Sequence, residues 1–171
     1  MKRIIVLLMS ATLAFVLTAC GAKAEPQTPS EVQIINPWQT FGDRKSAEEQ
    51  AGFALAMPET VADTYKTVSY SVLNDDKPIL QVEYQDGDYT VEIRKSRSVG
   101  QDISGVYGLE NAETLERNGV TIRIYRPSDD SETPNAVLTL IDYNGFAWSI
   151  YAPNGYWGDS GEDFLNAIFS Q

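Results

Sequence analysis

Leu80-Gln81-Val82-Glu83-Tyr84-Gln85-Asp86-Gly87-Asp88-Tyr89-Thr90-Val91-Glu92-Ile93 is the stretch whose reading decides the fold. Apolar and polar residues alternate on both sides of Asp86-Gly87, a dipeptide that favours a two-residue hairpin turn. Folding back about it sets Tyr84 against Tyr89, Val82 against Val91 and Leu80 against Ile93 on one face. The other face holds Gln85 with Asp88, Glu83 with Thr90 and Gln81 with Glu92. One apolar side and one polar side are what a half-buried antiparallel sheet requires.

The sheet grows outward from this hairpin. Tyr65 to Leu73 alternates Val68, Tyr70 and Val72. A tight turn at Asp75-Asp76 would put the valines on the polar side, so a five-residue loop from Asn74 to Pro78 is expected. That loop sets Val72 against Leu80 and Tyr70 against Val82, because register follows the buried face. Downstream, Asn118-Gly119 predicts a hairpin with Leu115 opposite Ile122 and Thr114 opposite Arg123. Asn144-Gly145 predicts another, with Ile141 opposite Trp148, Thr139 opposite Ile150 and Leu138 opposite Tyr151. Both faces of this last pair are largely apolar, which places it centrally, covered above and below.

Helices are expected at the two ends of the sheet. Ser46-Ala47-Glu48-Glu49 has the spacing of a capping box, opening a helix that closes at Gly52. Phe53 to Met57 then reads as a short strand stopped by Pro58. After Pro153, a Gly-rich loop carries Tyr156 and Trp157. Ser160-Gly161-Glu162-Asp163 is expected to cap a closing helix with Phe164, Leu165, Ile168 and Phe169 along one stripe. The expected class is α+β: one twisted antiparallel sheet of about 7–8 strands, a meander of hairpins, flanked by an N-terminal and a C-terminal helix.

The chain has 171 residues, 13 of them Lys or Arg and 24 Asp or Glu, for a net charge of −11. Phosphate contacts need clustered cations, so this balance argues against nucleic acid as a partner. Histidine is absent, which removes Ser-His-Asp, Cys-His and His-ligated zinc chemistry. One cysteine leaves no intrachain disulfide.

That cysteine closes an apolar leader. Lys2-Arg3 precede a run from Ile4 through Leu17, the layout of a secretory signal. The run ends in Leu17-Thr18-Ala19-Cys20, followed by Gly21, which resembles a bacterial lipobox. The resemblance implies cleavage before Cys20 and a diacylglycerol on its thiol, an anchor of the two-chain kind. A plain secreted protein and an uncleaved anchor are the competing readings. Removal of Lys2 and Arg3 with the leader takes the net charge to −13. Such a surface is repelled by anionic headgroups. The expected organisation is therefore a signal peptide over 1–19, the lipidated Cys20 and a Pro-containing flexible linker over 20–37, and a globular domain over 38–171. The expected site of action is the outer face of a bacterial cytoplasmic membrane.

Three features resemble one bacterial family. A capped Ala-containing helix runs into Gly52-Phe53-Ala54-Leu55-Ala56-Met57-Pro58, Phe146-Ala147-Trp148-Ser149-Ile150-Tyr151 comes later, and a Ser-capped helix closes the chain. This order is similar to domain of unknown function 4367, found in lipoproteins and beside anti-sigma-type membrane segments, over about residues 45–170. The family supplies no catalytic residues to carry over.

The residues offer little for catalysis. Asp75-Asp76, Asp86 with Asp88, Asp129-Asp130, and Asp159 with Glu162 and Asp163 all fall in expected turns or at a helix start, where local bonding and the helix dipole account for them. No twelve-residue calcium loop is present. Gly100-Gln101-Asp102-Ile103-Ser104-Gly105 lacks nucleophile-elbow spacing, and nothing in the sequence brings Lys95 to Ser104. No enzyme activity, cofactor or metal is expected. Aromatic density from Tyr143 to Trp157 remains. Trp148 and Phe146 suit a core beneath a helix, whereas Tyr156 and Trp157 sit in a loop and are the candidate partner-binding residues. The expected partners are the membrane, through the lipid, and an unknown protein or, alternatively, a small apolar ligand held between sheet and helix.

Overall fold

Alternation and turn chemistry set most of the strand pairings in the computed structural model, which describes residues 36–128, 133–156 and 158–171. Nine strands are present among these residues: β1 (Trp38–Phe41), β2 (Thr60–Val61), β3 (Tyr65–Leu73), β4 (Ile79–Asp86), β5 (Tyr89–Ser96), β6 (Glu110–Arg117), β7 (Val120–Arg126), β8 (Val137–Tyr143) and β9 (Phe146–Ala152). Helix α1 spans Arg44–Ala51 and α2 spans Ser160–Phe169. The sheet is antiparallel throughout, in the order β1-β3-β4-β5-β9-β8-β7-β6, with β2 also pairing to β3. Two meanders thus meet at the β5–β9 seam. The class is α+β, as expected.

Both Asn-Gly turns keep the expected register. Asn118 and Gly119 have φ of 52° and 76°, and Asn144 and Gly145 have 50° and 76°. Left-handed backbone at both loop positions is what a type I′ turn demands. Leu115 faces Ile122, and Ile141 faces Trp148. The Asp86-Gly87 hairpin differs: Asp86 pairs with Tyr89, Tyr84 with Val91 and Val82 with Ile93. The loop is Gly87-Asp88, with positive φ at Gly87 alone of the two, the glycine-first requirement of a type II′ turn. The slip is by two residues, so every side chain keeps its face. Leu80, Val82, Tyr84, Val91 and Ile93 are fully buried.

Three local expectations are corrected. Helix α1 begins earlier than the Ser46 box, because Asp43 is its cap and accepts the Ser46 N–H at 2.9 Å and the Ser46 hydroxyl at 2.9 Å. Gly52 closes it at φ 75°, as expected. At α2, Ser160 is the first helical residue rather than the cap. Val68 is 51% exposed, because a β-bulge between Thr67 and Ser69 leaves it as the extra residue. Across the bulge the parity changes, which lets Tyr65, Tyr70 and Val72 all point inward.

Phe53 to Met57 alternates buried and exposed residues, yet joins no strand ladder. Side chains take the ladder's place. Glu48 accepts the Leu55 N–H at 2.8 Å, Arg44 donates to the Met57 carbonyl, and Lys95 donates to the Ala54 carbonyl at 2.8 Å and to Leu55 at 3.4 Å. Lys95 lies on the core face of β5, 5% exposed, opposite Leu80. Its ammonium also stands 4.4 Å from the Phe146 ring centroid and 4.5 Å from that of Trp148. Burial lowers its pKa from the ordinary lysine value, with the Glu48 charge acting in opposition.

Both helices pack on the same face of the sheet. Ala47 and Ala51 of α1 and Phe164, Leu165 and Ile168 of α2 join one core with Leu80, Val82, Tyr84, Ile93, Trp148 and Ile150. Phe164 meets Tyr65 and Tyr84 edge-on, with centroids 5.2 and 5.5 Å apart. Phe169, partly buried, stands edge-on to Tyr143 at 5.1 Å. The opposite face holds Leu138, Leu140, Ala147 and Ser149, all buried. The segment from Arg97 to Leu109 is tied to this face: Arg94 donates to the Ile103 and Ser104 carbonyls, and Asp142 accepts the Gly100 N–H. For the same reason Gln81 and Glu92 are half-buried rather than open to water.

Candidate functional site

Loop 153–159 leaves the buried end of β9 and enters α2, so its geometry is fixed at both ends. Tyr156 is half-buried in it. The ring lies against Gly161, where a Cβ would meet two ring carbons at 3.2 Å, and its centroid is 6.1 Å from Phe164. Its hydroxyl shares a hydrogen bond with Thr139 on β8. Burial pushes the Tyr156 pKa up to about 12, against the lesser opposing effects of the Thr139 bond and the Arg126 charge. The phenol is therefore a neutral hydrogen-bonding group at any ordinary pH.

Tyr156 forms one wall of a cleft of 410 Å³. The sheet contributes Ile124 and Arg126 from β7 with Val137 and Thr139 from β8, and α2 contributes Leu165. Val137 and Leu165 are buried and Ile124 is half-buried, which gives an apolar lining. Arg126, Asp159 and Glu162 line it too and are exposed, so both charge signs meet the solvent here. Glu162 is already engaged, accepting from Arg117 on edge strand β6 at 2.8 Å. Arg117 also donates to Asn166 at 2.8 Å, which clamps α2 to the sheet edge. The size falls in the range of small-molecule and peptide side-chain pockets.

Of the expected site residues, Tyr156 lines the cleft, while Cys20 and Trp157 lie outside the described residues, as does Asp129-Asp130. Asp75-Asp76 and Asp88 stay in loops and turns remote in sequence from this cleft, whereas Asp86 ends strand β4 and pairs with Tyr89. Lys95 donates to the Ala54 and Leu55 carbonyls and to Gln171, so its ammonium is spent on the core segment rather than brought to Ser104. Sequence reasoning missed Ile124, Arg126, Val137 and Thr139, because the pairing of β7 with β8 across a loop brings the four together and only the tertiary placement of α2 turns them into a cleft lining. No group of three or more acidic or cysteine side chains is placed to hold a metal among the described residues. No helix among them is long and apolar enough to cross a membrane. No protein-family model, curated protein or solved structure matches the chain.

Proposed function

We propose that the chain is a lipid-anchored, extracytoplasmic binding domain without enzyme activity, held through Cys20 on the outer face of a bacterial cytoplasmic membrane. The lipobox-like Leu17-Thr18-Ala19-Cys20 supports the anchor. The order of elements resembling domain of unknown function 4367 supports an envelope-accessory role. The observation that carries the binding reading is the cleft beside Tyr156. It has an apolar lining, a neutral phenol and exposed charges of both signs, on a loop fixed by packed elements at each end. Trp157 extends the same loop in sequence and is proposed to contact the partner with Tyr156.

A second reading is a carrier of a small apolar ligand. The position of the cleft between sheet strands β7 and β8 and helix α2 favours it. Photo-crosslinking in the native envelope separates the two. A benzophenone side chain replacing exposed Arg126 is expected to give a discrete protein adduct that the same group at exposed Lys66 does not give. A lipid-sized adduct at Arg126 would favour the carrier instead. Equal adducts at both positions would overturn the assignment of the cleft.

A further inference from the structure

A second cleft, of 310 Å³, shares no lining residue with the first. Trp38 of β1, Leu73 of β3, Ile79 of β4 and Tyr107 of the 97–109 segment supply its apolar surface. Tyr107 is 91% exposed, an aromatic side chain left almost wholly in water. Arg94 of β5 sits beneath, its guanidinium carbon 4.8 Å from the Trp38 ring centroid. This arginine organises the cleft rather than offering itself to a ligand. Its Nε donates to Gln81 at 2.8 Å, one terminal nitrogen donates to the Ile103 and Ser104 carbonyls, and the other donates to Glu92 at 3.2 Å. With Arg94 paired to Glu92, the remaining charge in the lining is that of Asp102. Asp102 is exposed, and its Oδ1 accepts the Ser104 N–H at 2.8 Å.

We propose that this cleft docks an extended, proline-rich segment bearing a Lys or Arg, presented by a partner protein. Three properties of the cleft select that chemistry. Aromatic side chains with aliphatic neighbours suit prolyl rings, which pack by their faces and need no hydrogen bonds. A polyproline-type segment is already extended, so little conformational freedom is lost on a shallow surface. The guanidinium donors are engaged within the protein, so a glycan, which needs a fan of free donors and acceptors for its hydroxyls, finds few here. Charge complementarity sets the flank. The Asp102 carboxylate borders the aromatics, and a chain of net charge −11 steers a basic segment toward itself.

The test is fluorescence anisotropy on the full chain in detergent. The probe is a labelled twelve-residue peptide of prolines with lysine at every fourth position. Saturable binding is expected, weakened about tenfold by Tyr107→Ala and by Trp38→Ala, as for aromatic anchors. Asp102→Asn is expected to weaken it about threefold, the scale of an exposed ion pair. A peptide with glutamate in place of lysine should bind more weakly than the lysine form. Because Tyr107 is exposed, its alanine variant should keep the parent thermal midpoint, so a loss of binding there is not a loss of fold. Absence of saturable binding, full binding by Tyr107→Ala, equal binding of the glutamate peptide, or displacement of the probe by chitohexaose would each overturn the proposal. This cleft is tested independently of the one beside Tyr156.

Discussion

Lys95 is the residue that sequence patterning reads least well. By alternation it belongs to the covered face of β5, where a lysine is an apparent violation. The structure resolves the conflict by making the ammonium a surrogate strand partner for Ala54 and Leu55, with Gln171 as a third acceptor at 3.3 Å. Lys95→Ala should therefore cost about 2–3 kcal/mol in urea unfolding, from two carbonyls left without a donor and lost contact with two rings. Lys95→Met, which fills the space and buries no charge, should cost less than the alanine variant. Equal losses would mean that hydrogen bonding rather than shape holds the segment. Tyr156 supplies the second test at this scale. Its folded pKa, raised to about 12, exceeds the ordinary tyrosine value of 10.0. The fold thus holds a proton that the unfolded chain releases between these values, so the stabilisation is complete below about pH 10 and lost as pH rises toward 12. Tyr156→Phe should flatten the fall in stability over that window by roughly 2 kcal/mol relative to the parent. Lys95, with its pKa lowered, contributes in the opposite sense below 10.5. It is common to both proteins and cancels in the comparison.

At the scale of elements, turn chemistry explains which pairings could be read in advance. Asn-Gly fixes both loop positions in left-handed backbone, so the β6–β7 and β8–β9 registers followed directly. Asp86-Gly87-Asp88 offers two loops, and the chain takes Gly87-Asp88 with Gly87 at positive φ, which sets Tyr84 opposite Val91. The choice changed the partners and spared the faces, because the shift was even. Helix starts were less legible, since Asp43 and Ser46 are both good caps three residues apart and Asp43 prevails. The short strands β1 and β2 carry too few residues for a pattern, and they lie beside β3 only because that strand is long enough to receive both. Val82, central in the β3–β4–β5 meander and fully buried, is the sharpest probe of the assembled sheet. Val82→Asp should destabilise by several kcal/mol, about 3 or more, because a carboxylate there has no compensating partner. A variant with the parent midpoint in urea would contradict the assigned faces. Cutting the chain at Asp163 should likewise unfold the domain, since it removes Phe164, Leu165 and Ile168 from the core.

At the scale of the whole molecule, the candidate site was half legible. An aromatic pair in a loop between two packed elements points to Tyr156 and Trp157, and Tyr156 lines the cleft between α2 and strands β7 and β8. The rest of that cleft comes from strands whose outward residues look like any half-buried sheet, so no local signal marks Ile124 or Val137 as lining. The proposed anchor rests on a different logic, that of a chemical address rather than a fold. Residues 36–171 form one compact unit, and the proposed address lies ahead of it. A membrane-held domain that recognises a partner needs both parts, and its anchor is the claim most directly open to measurement. Mass spectrometry of the membrane fraction should find a mature chain that begins at Cys20 and carries added diacylglycerol mass, shifted to an unprocessed, unmodified chain by Cys20→Ala. A chain recovered in the soluble fraction and cleaved elsewhere, or a membrane form indifferent to Cys20→Ala, would contradict the account.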